Sequence, residues 1–422
     1  MIRRLVPLDN KVFIELDGQT LEAKAGEPVA CAMLASDELI FSRSIKYHRP
    51  RGPVCMSGVC SNCLVRIDGK PNLPACRVRV ESGMQIERQN VFPDARLDIF
   101  SVNDVVFPKW FNHHEFLAGV PIAQNVMLKV ARQLAGLGKL PKEAPPKRDA
   151  AVVEHIDVAI IGAGPAGLSA ARVFTNRQRS FVLFERDDVR GGRLSHGFDQ
   201  GAPEVYSCAP SSLRLNAEVV GVFNDAGQPF LAVIQNARLH LVFPRVMLFC
   251  VGGHPAVPAF ENNDLPGVFA ARAVSRLIRR HQVLPGEHIA VIGEGSEARS
   301  LVKLISDAGG KATAVAGSVV SASGLNRVHE VVVRENGTER SVTCDAVACC
   351  EPHSPAFELA RAAGASVAWH DAAQMFTVVA DTQGRTSNPQ VFAAGELRGP
   401  MSASAAAEQG LTAAETIVKE RP

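Results

Sequence analysis

Cys55, Cys60 and Cys63 stand in the spacing C-x4-C-x2-C, and Cys76 follows after twelve intervening residues. Thiolates in this order ligate the two irons of a plant-type [2Fe–2S] cluster. Gly58, inside the first gap, relaxes the backbone so that a loop can wrap an inorganic core and turn N–H groups toward sulfur. Structural zinc competes for the same residue types, but its sites favour closely spaced cysteine pairs.

A second chemistry-bearing stretch runs from Asp157 to Ala171. A buried-strand pattern feeds directly into Gly162-Ala163-Gly164-Pro165-Ala166-Gly167, and an Ala-rich helical pattern follows. Gly162 permits the tight turn, Gly164 lets a pyrophosphate approach the backbone, and Gly167 lets helix and strand pack closely. The free N–H groups of the helix start then face the phosphates. The next strand, Phe181–Phe184, ends at Glu185-Arg186, at the distance expected for the acid that binds ribose hydroxyls. A carboxylate there suits the unphosphorylated ribose of FAD or NAD rather than NADP.

A further fingerprint, Gly293-x-Gly295-x-x-Ala298, lies between the strand His288–Ile292 and a helix. It predicts a second nucleotide-binding fold. The strand after it, ending at Val315, carries neither an acid for NAD nor an Arg for NADP. Glu294 and Glu297 also sit where a pyrophosphate needs neutral or positive surroundings, which weighs against NAD(P).

These residues need elements to hold them. Val12–Leu16 and Gln19–Ala23 read as strands about the turn Asp17-Gly18, and Pro28–Ser36 as a helix that buries Cys31. Arg66–Asp68 and Gly69-Lys70-Pro71 read as a strand and turn that return the chain to Cys76. The expected architecture is α/β. A β-grasp ferredoxin-like domain (1–95) leads through a helical bridge and linker (96–150) to an FAD-binding domain (151–265 and 375–422). An NAD(P)-binding-like domain (266–374) is inserted in it. In the bridge, Pro141–Arg148 reads as an exposed linker, and His113-His114 has no ligand spacing around it.

Composition limits the function classes. The chain has 422 residues, 46% hydrophobic and 21% charged, with a formal net charge of +2. That charge gives no reason to expect nucleic acid. No apolar run approaches the ~20 residues of a membrane helix. The start, Met1–Asp9, lacks the apolar core of a signal peptide, so a cytoplasmic location and ten reduced or metal-bound cysteines are expected. No C-x-x-C occurs in 151–422, which excludes a thioredoxin-reductase-like dithiol. The basic loop Lys46–Gly52, before the first cysteine, reads equally as solvated surface or as charge compensation for an anionic cluster.

Ser42-Arg43-Ser44-Ile45-Lys46-Tyr47-His48-Arg49-Pro50-Arg51-Gly52 resembles the signature at the start of sarcosine oxidase alpha subunits. Gln89–Pro93, Ser101–Asp104 and Val130–Gly138 continue the match. That family generally lacks the cluster cysteines, which are present here, and carries a folate-binding half with no counterpart here. The sequence is therefore more similar to the cluster-bearing subunits of amine, opine and D-hydroxyproline dehydrogenases and of hydrogen cyanide synthase. The short last cysteine gap resembles the ferredoxin-like domains of succinate dehydrogenase and molybdenum hydroxylases.

The resemblance implies further site residues. Gly192 and Arg193 belong to a Gly-Gly loop near the flavin. Val219 lies in the strand whose backbone contacts adenine, and Gly252 at a strand end returning to FAD. Gly395 and Glu396 replace the Gly-Asp pair whose acid binds the ribityl chain. A helix over Ser402–Val418 aims its N-terminus at the flavin, with Gly410 inside it. No substrate-deprotonating constellation can be assigned. The resemblance implies an electron-transfer subunit with FAD and [2Fe–2S], beside a glycine-oxidase-like beta subunit that oxidises an amino acid or secondary amine. It also implies an electron acceptor and, in some relatives, a small third subunit and an FMN between subunits. The alternatives are a self-contained NAD(P)H-dependent reductase and a non-catalytic nucleotide-holding scaffold.

Overall fold

The computed structural model describes residues 1–45, 47–91, 93–102, 149–196 and 212–420. Most of the expected bridge, with His113-His114 and Pro141–Arg148, lies outside them. Two compact units emerge. One comprises Met1–Ala144 with Val257–Glu351, the other Pro145–Ala256 with Pro352–Pro422.

In the first unit, β1 (Lys11–Leu16) and β2 (Gln19–Lys24) form a hairpin. Ile14 and Leu16 alternate inward, the period-two pattern of a half-buried strand. Asp17 and Gly18 both have positive φ, as a two-residue type I′ turn requires. Helix α1 (Val29–Ala35) starts after Pro28 and buries Val29 to Leu34. β3 (Leu64–Ile67) and β4 (Lys70–Pro74) make a second hairpin, and β5 (Gln85–Glu87) completes the sheet in the order β2-β1-β5-β3-β4. Only the β1–β5 pair is parallel. The cysteine loop spans the connection between α1 and β3.

The second unit begins with β6 (Val152–Ile161), α2 (Pro165–Asn176) and β7 (Phe181–Phe184). Pro165 opens the helix at a position where its missing N–H costs nothing. An antiparallel meander follows: β8 (Ala217–Asp225), β9 (Gln228–Gln235) and β10 (Arg238–Phe249). β10 runs parallel to β6.

The chain then re-enters the first unit. β11 (Val268–Ala270), α3 (Ala271–His281), β12 (His288–Ile292), α4 (Gly295–Asp307), β13 (Lys311–Val315) and β14 (Ala346–Cys349) build a parallel sheet in the order β11-β14-β12-β13. It returns to the second unit to add β15 (Val391–Ala393), paired with β10, and α5 (Ala403–Glu420).

The crossings between units fall at 256/257 and 351/352, not at the expected 265/266 and 374/375. The reason is packing. Ser354-Pro355 pairs with Gly253-His254, and Ala360, Ala363 and Ala365 bury against the core of Phe249 and Val391.

Helix α5 closes the second unit on α2. Leu168, Phe174, Leu248, Phe392 and Ile417 share one core, each worth about 1.5–3 kcal/mol by burial. The half-exposed Arg177–Glu415 pair between the same helices adds about 1 kcal/mol at most. Burial therefore decides this contact. Gly410 explains itself here: a Cβ would meet the Ala166 carbonyl at 2.0 Å, so the helices touch backbone to backbone. No helix among the described residues is long and apolar enough to cross a membrane.

Candidate functional site

The cysteine loop is shaped by three left-handed residues, Met56, Gly58 and Ser61. Cys55, Cys63 and Cys76 are buried, and Cys60 is partly exposed. Their thiols act on one another, with Cys60 and Cys76 both donating toward Cys55 and Cys76 also toward Cys63. As acceptors, Cys55 and Cys63 are drawn toward thiolate, Cys55 chiefly by Cys60 and Cys63 by Cys76. The donors Cys60 and Cys76 are pushed the other way by the same bonds. The Ser57 N–H donates to Cys55 Sγ at 3.3 Å, and the Asn62 N–H favours a thiolate at Cys60.

The four thiols form one connected group. Among the described residues, no three His, Cys, Asp or Glu side chains gather as one bound ion would need. The C-x4-C-x2-C…C order of these sulfurs suits two irons, each held by two of them, better than a single zinc. The other thiols differ. Cys31, Cys250 and Cys349 are pushed up chiefly by burial, as inert core residues are. All nine described cysteines are free.

The described cations of the basic loop are engaged in ion pairs and hydrogen bonds. Arg49 and Arg51 pair with Asp264 at 3.0 and 3.2 Å. Arg43, 4% exposed, donates to the carbonyls of His48 and Ala95 and to Asn326 Oδ1. These cations pin the ferredoxin-like part to the inserted nucleotide fold. Lys46 lies outside the described residues.

In the second unit the glycine turn is built as its sequence requires. The Gly162 N–H donates to Phe184 O at 2.8 Å, and its φ of +99° points the missing Cβ at Cys250 O, 2.5 Å away. A Cβ on Gly167 would meet Gly162 O at 1.9 Å, whereas one on Gly164 would meet nothing within 4 Å. Open space at Gly164, next to the N-terminus of α2, is where a pyrophosphate fits.

The Gly-Gly loop lies over this turn. Gly191 N donates to Ala163 O at 2.8 Å, and a Cβ on Gly192 would stand 3.1 Å from Gly164 Cα. Arg193 Nη1 donates to Glu396 Oε1 at 2.8 Å and to Met401 O at 2.6 Å. Glu396 Oε2 in turn lies 3.7 Å from the Cβ position of Gly252, and Gly395 N donates to Gln409 Oε1 at 3.0 Å. The fold thus gathers Gly162–Gly167, Gly192, Arg193, Gly252, Gly395 and Glu396 around one crevice.

Glu185 is nearly fully buried. It accepts from the N–H groups of Ala163 at 2.8 Å and Asp187 at 2.9 Å. Burial raises its pKa, opposed by these donors. Arg186 is half-buried, and Val219 is buried in the strand whose first residue, Ala217, donates to Glu185 O. Sequence reading named Arg193 and Glu396 separately but missed their ion pair, and it missed Gln409. The Gln-Gly step beside Gly410 was the available signal. Glu185→Ala is expected to weaken FAD by about 2–3 kcal/mol through a lost charge-assisted hydrogen-bond pair. Titrating the flavin-free protein with FAD measures this, and an unchanged Kd rejects the role.

The inserted fold has a glycine turn without a friendly anion site. Gly293 has φ +116° and donates to Val315 O at 3.1 Å, and Gly295 is open. Glu294 is exposed at the cap of α4, and Glu297 accepts from Arg272 Nε at 3.3 Å. Burial pushes Cys350 beside this turn up to about 12, with Glu297 and Glu351 adding to the effect. A pyrophosphate at this turn would meet Glu294 and the Arg272–Glu297 ion pair.

Comparison with known proteins agrees with this layout. Residues 9–91 match a 2Fe-2S iron-sulfur cluster binding domain, and residues 160–225 an NAD(P)-binding Rossmann-like domain. The whole chain aligns at 25% identity with sarcosine oxidase subunit alpha of Rhizobium meliloti (strain 1021), spanning 46% of that protein. The chain therefore spans about half the length of this relative. A stretch of 77 residues is 38% identical to hydrogen cyanide synthase subunit HcnA of Pseudomonas aeruginosa, covering 18% of this chain and 73% of that one. The solved L-proline dehydrogenase from P. horikoshii has the same fold. Its TM-score is 0.75 at 22% identity, over 99% of this chain and 75% of that one.

Proposed function

We propose that the chain is an electron-relay subunit of a heteromeric dehydrogenase, a reading supported by its similarity to sarcosine oxidase subunit alpha and to hydrogen cyanide synthase subunit HcnA. Its cofactors are FAD and a [2Fe–2S] cluster. A glycine-oxidase-like beta subunit would oxidise an amino acid or secondary amine of the sarcosine, proline, hydroxyproline or opine class. This chain would carry the electrons onward to an acceptor. An FMN at the subunit interface and a small third subunit belong to the same reading, as does a cytoplasmic location.

The observation that carries it is the pairing, in one chain, of the four-sulfur loop with an FAD-type crevice. FAD supplies two-electron acceptance and the cluster one-electron transfer. The protein's part is to hold them. The turn Gly162–Gly167 and the start of α2 receive the pyrophosphate, with Gly164 leaving it room. Glu185 orients the ribose hydroxyls. Arg193, fixed by Glu396 and Met401 O, keeps the ribityl side of the crevice ordered. Cys55, Cys60, Cys63 and Cys76 hold the cluster, with Cys60 at the more exposed edge.

The test is to express the chain alone and assay sarcosine, proline, hydroxyproline and opines with a dye acceptor. No turnover is expected until the beta subunit is added. Robust turnover by the single chain would sink the relay reading. The self-contained reductase reading is tested in the same preparation. NADH and NADPH are expected to reduce the flavin slowly or not at all, given the carboxylates around Gly293-x-Gly295. Reduction in stopped flow at ~10 per second, an ordinary enzymatic rate, would promote that reading.

A further inference from the structure

The cluster loop does not rest on the ferredoxin-like sheet alone. Three alternate residues just before and within it, Gly52, Val54 and Met56, each touch the inserted nucleotide fold. A Cβ on Gly52 would lie 3.2 Å from Pro266 Cβ. The Ala270 N–H donates to Val54 O at 3.0 Å. Arg276 Nη1 donates to Met56 O at 3.0 Å. All three partners come from the segment that leads into β11 and continues through α3. Arg276 is 9% exposed, on a helix whose flanking residues Val274, Ser275, Leu277 and Ile278 are also buried.

A guanidinium keeps its charge when buried. Met56 follows Cys55 directly, and consecutive Cα atoms are ~3.8 Å apart, so this cation stands within roughly 10 Å of the first cluster ligand. Nearby Glu27 is held bidentately by Arg4, at 2.6 and 2.9 Å. Reduction adds one electron to a core already made anionic by four thiolates, with no bond made or broken. A buried cation beside it favours the reduced state and raises the potential.

We propose that Arg276 is a positioning residue that sets the reduction potential of the [2Fe–2S] centre from the inserted nucleotide fold. That fold then serves as the seat of the cluster. The proposal rests on the cluster assignment and is independent of which substrate the complex oxidises.

Arg276→Gln keeps a hydrogen-bond donor for Met56 O and removes the charge, whereas Arg276→Lys keeps the charge. The measurement is a dithionite titration of the full chain with both cofactors, followed by the electron paramagnetic resonance signal of the reduced cluster. Dithionite supplies the electron. The expected result is a more negative midpoint for Arg276→Gln, with Arg276→Lys close to wild type. An unchanged midpoint in Arg276→Gln, at full iron and sulfide content, overturns the proposal. Should Arg276→Gln lose its cluster, Arg276→Lys decides. A retained cluster at the wild-type midpoint supports the cation, and a lost cluster or shifted midpoint reduces Arg276 to a packing role. Wild-type protein without iron would instead defeat the cluster assignment itself.

Discussion

Cys60→Ser is expected to purify with its flavin and without iron or acid-labile sulfide. Wild type should carry about two of each per chain. Three observations make this a clean deletion. Cys60 is the least buried of the four sulfurs, so serine there costs little packing. The ferredoxin-like core, with Met33, Val65 and Ile86, does not include it. The flavin crevice belongs to the other compact unit. Loss of a ligand should therefore empty one site and spare the other. Cys31→Ser is the control, because that thiol is enclosed in α1, outside the sulfur chain. It should keep the cluster at some cost in stability. Metal and sulfide analysis beside flavin absorbance gives the answer, and a wild-type protein with one zinc and no sulfide would reject the assignment.

Gly164→Val is expected to fold and to bind no FAD. Here the backbone at Gly164 is extended, with φ −76° and ψ −171°, a conformation any residue adopts. A Cβ would meet no protein atom within 4 Å, so its obstacle is the pyrophosphate. Gly167→Ala is the opposite case. Its Cβ would meet Gly162 O at 1.9 Å, and the cost is overpacking of about 1–3 kcal/mol whether or not FAD is present. Flavin content and thermal denaturation of both variants separate the two effects. Full flavin occupancy in Gly164→Val would remove this turn from the FAD site.

The parts of the site that sequence makes legible are those fixed by local spacing. Four cysteines at set intervals, a strand–turn–helix with three glycines and an acid after the next strand each occupy a short window. Backbone geometry leaves such windows few alternatives. What could not be read depends on contacts between distant residues. Arg276 meets Met56 across 220 positions, and Arg193 meets Glu396 across 203. No local pattern encodes either contact. The ion pairs of the basic loop were hidden for the same reason. Arg49 and Arg51 look free in sequence because their partner, Asp264, is more than two hundred residues away. Gly410 was legible as an anomaly, but only packing shows that Ala166 is its cause.

The interleaving of the two units also orders events on the ribosome. The ferredoxin-like sheet can form once Glu87 has emerged, but its cysteine loop stays open on one side until Pro266, Ala270 and Arg276 are made. The flavin crevice waits longer. Its floor, Gly162 to Gly167, is translated early, whereas Glu396 and the helix that seats Gly410 on Ala166 come almost last. At about 5–20 residues per second, that helix emerges on the order of ten seconds after Arg276. The residues that enclose the cysteine loop are therefore all made well before those that complete the flavin crevice.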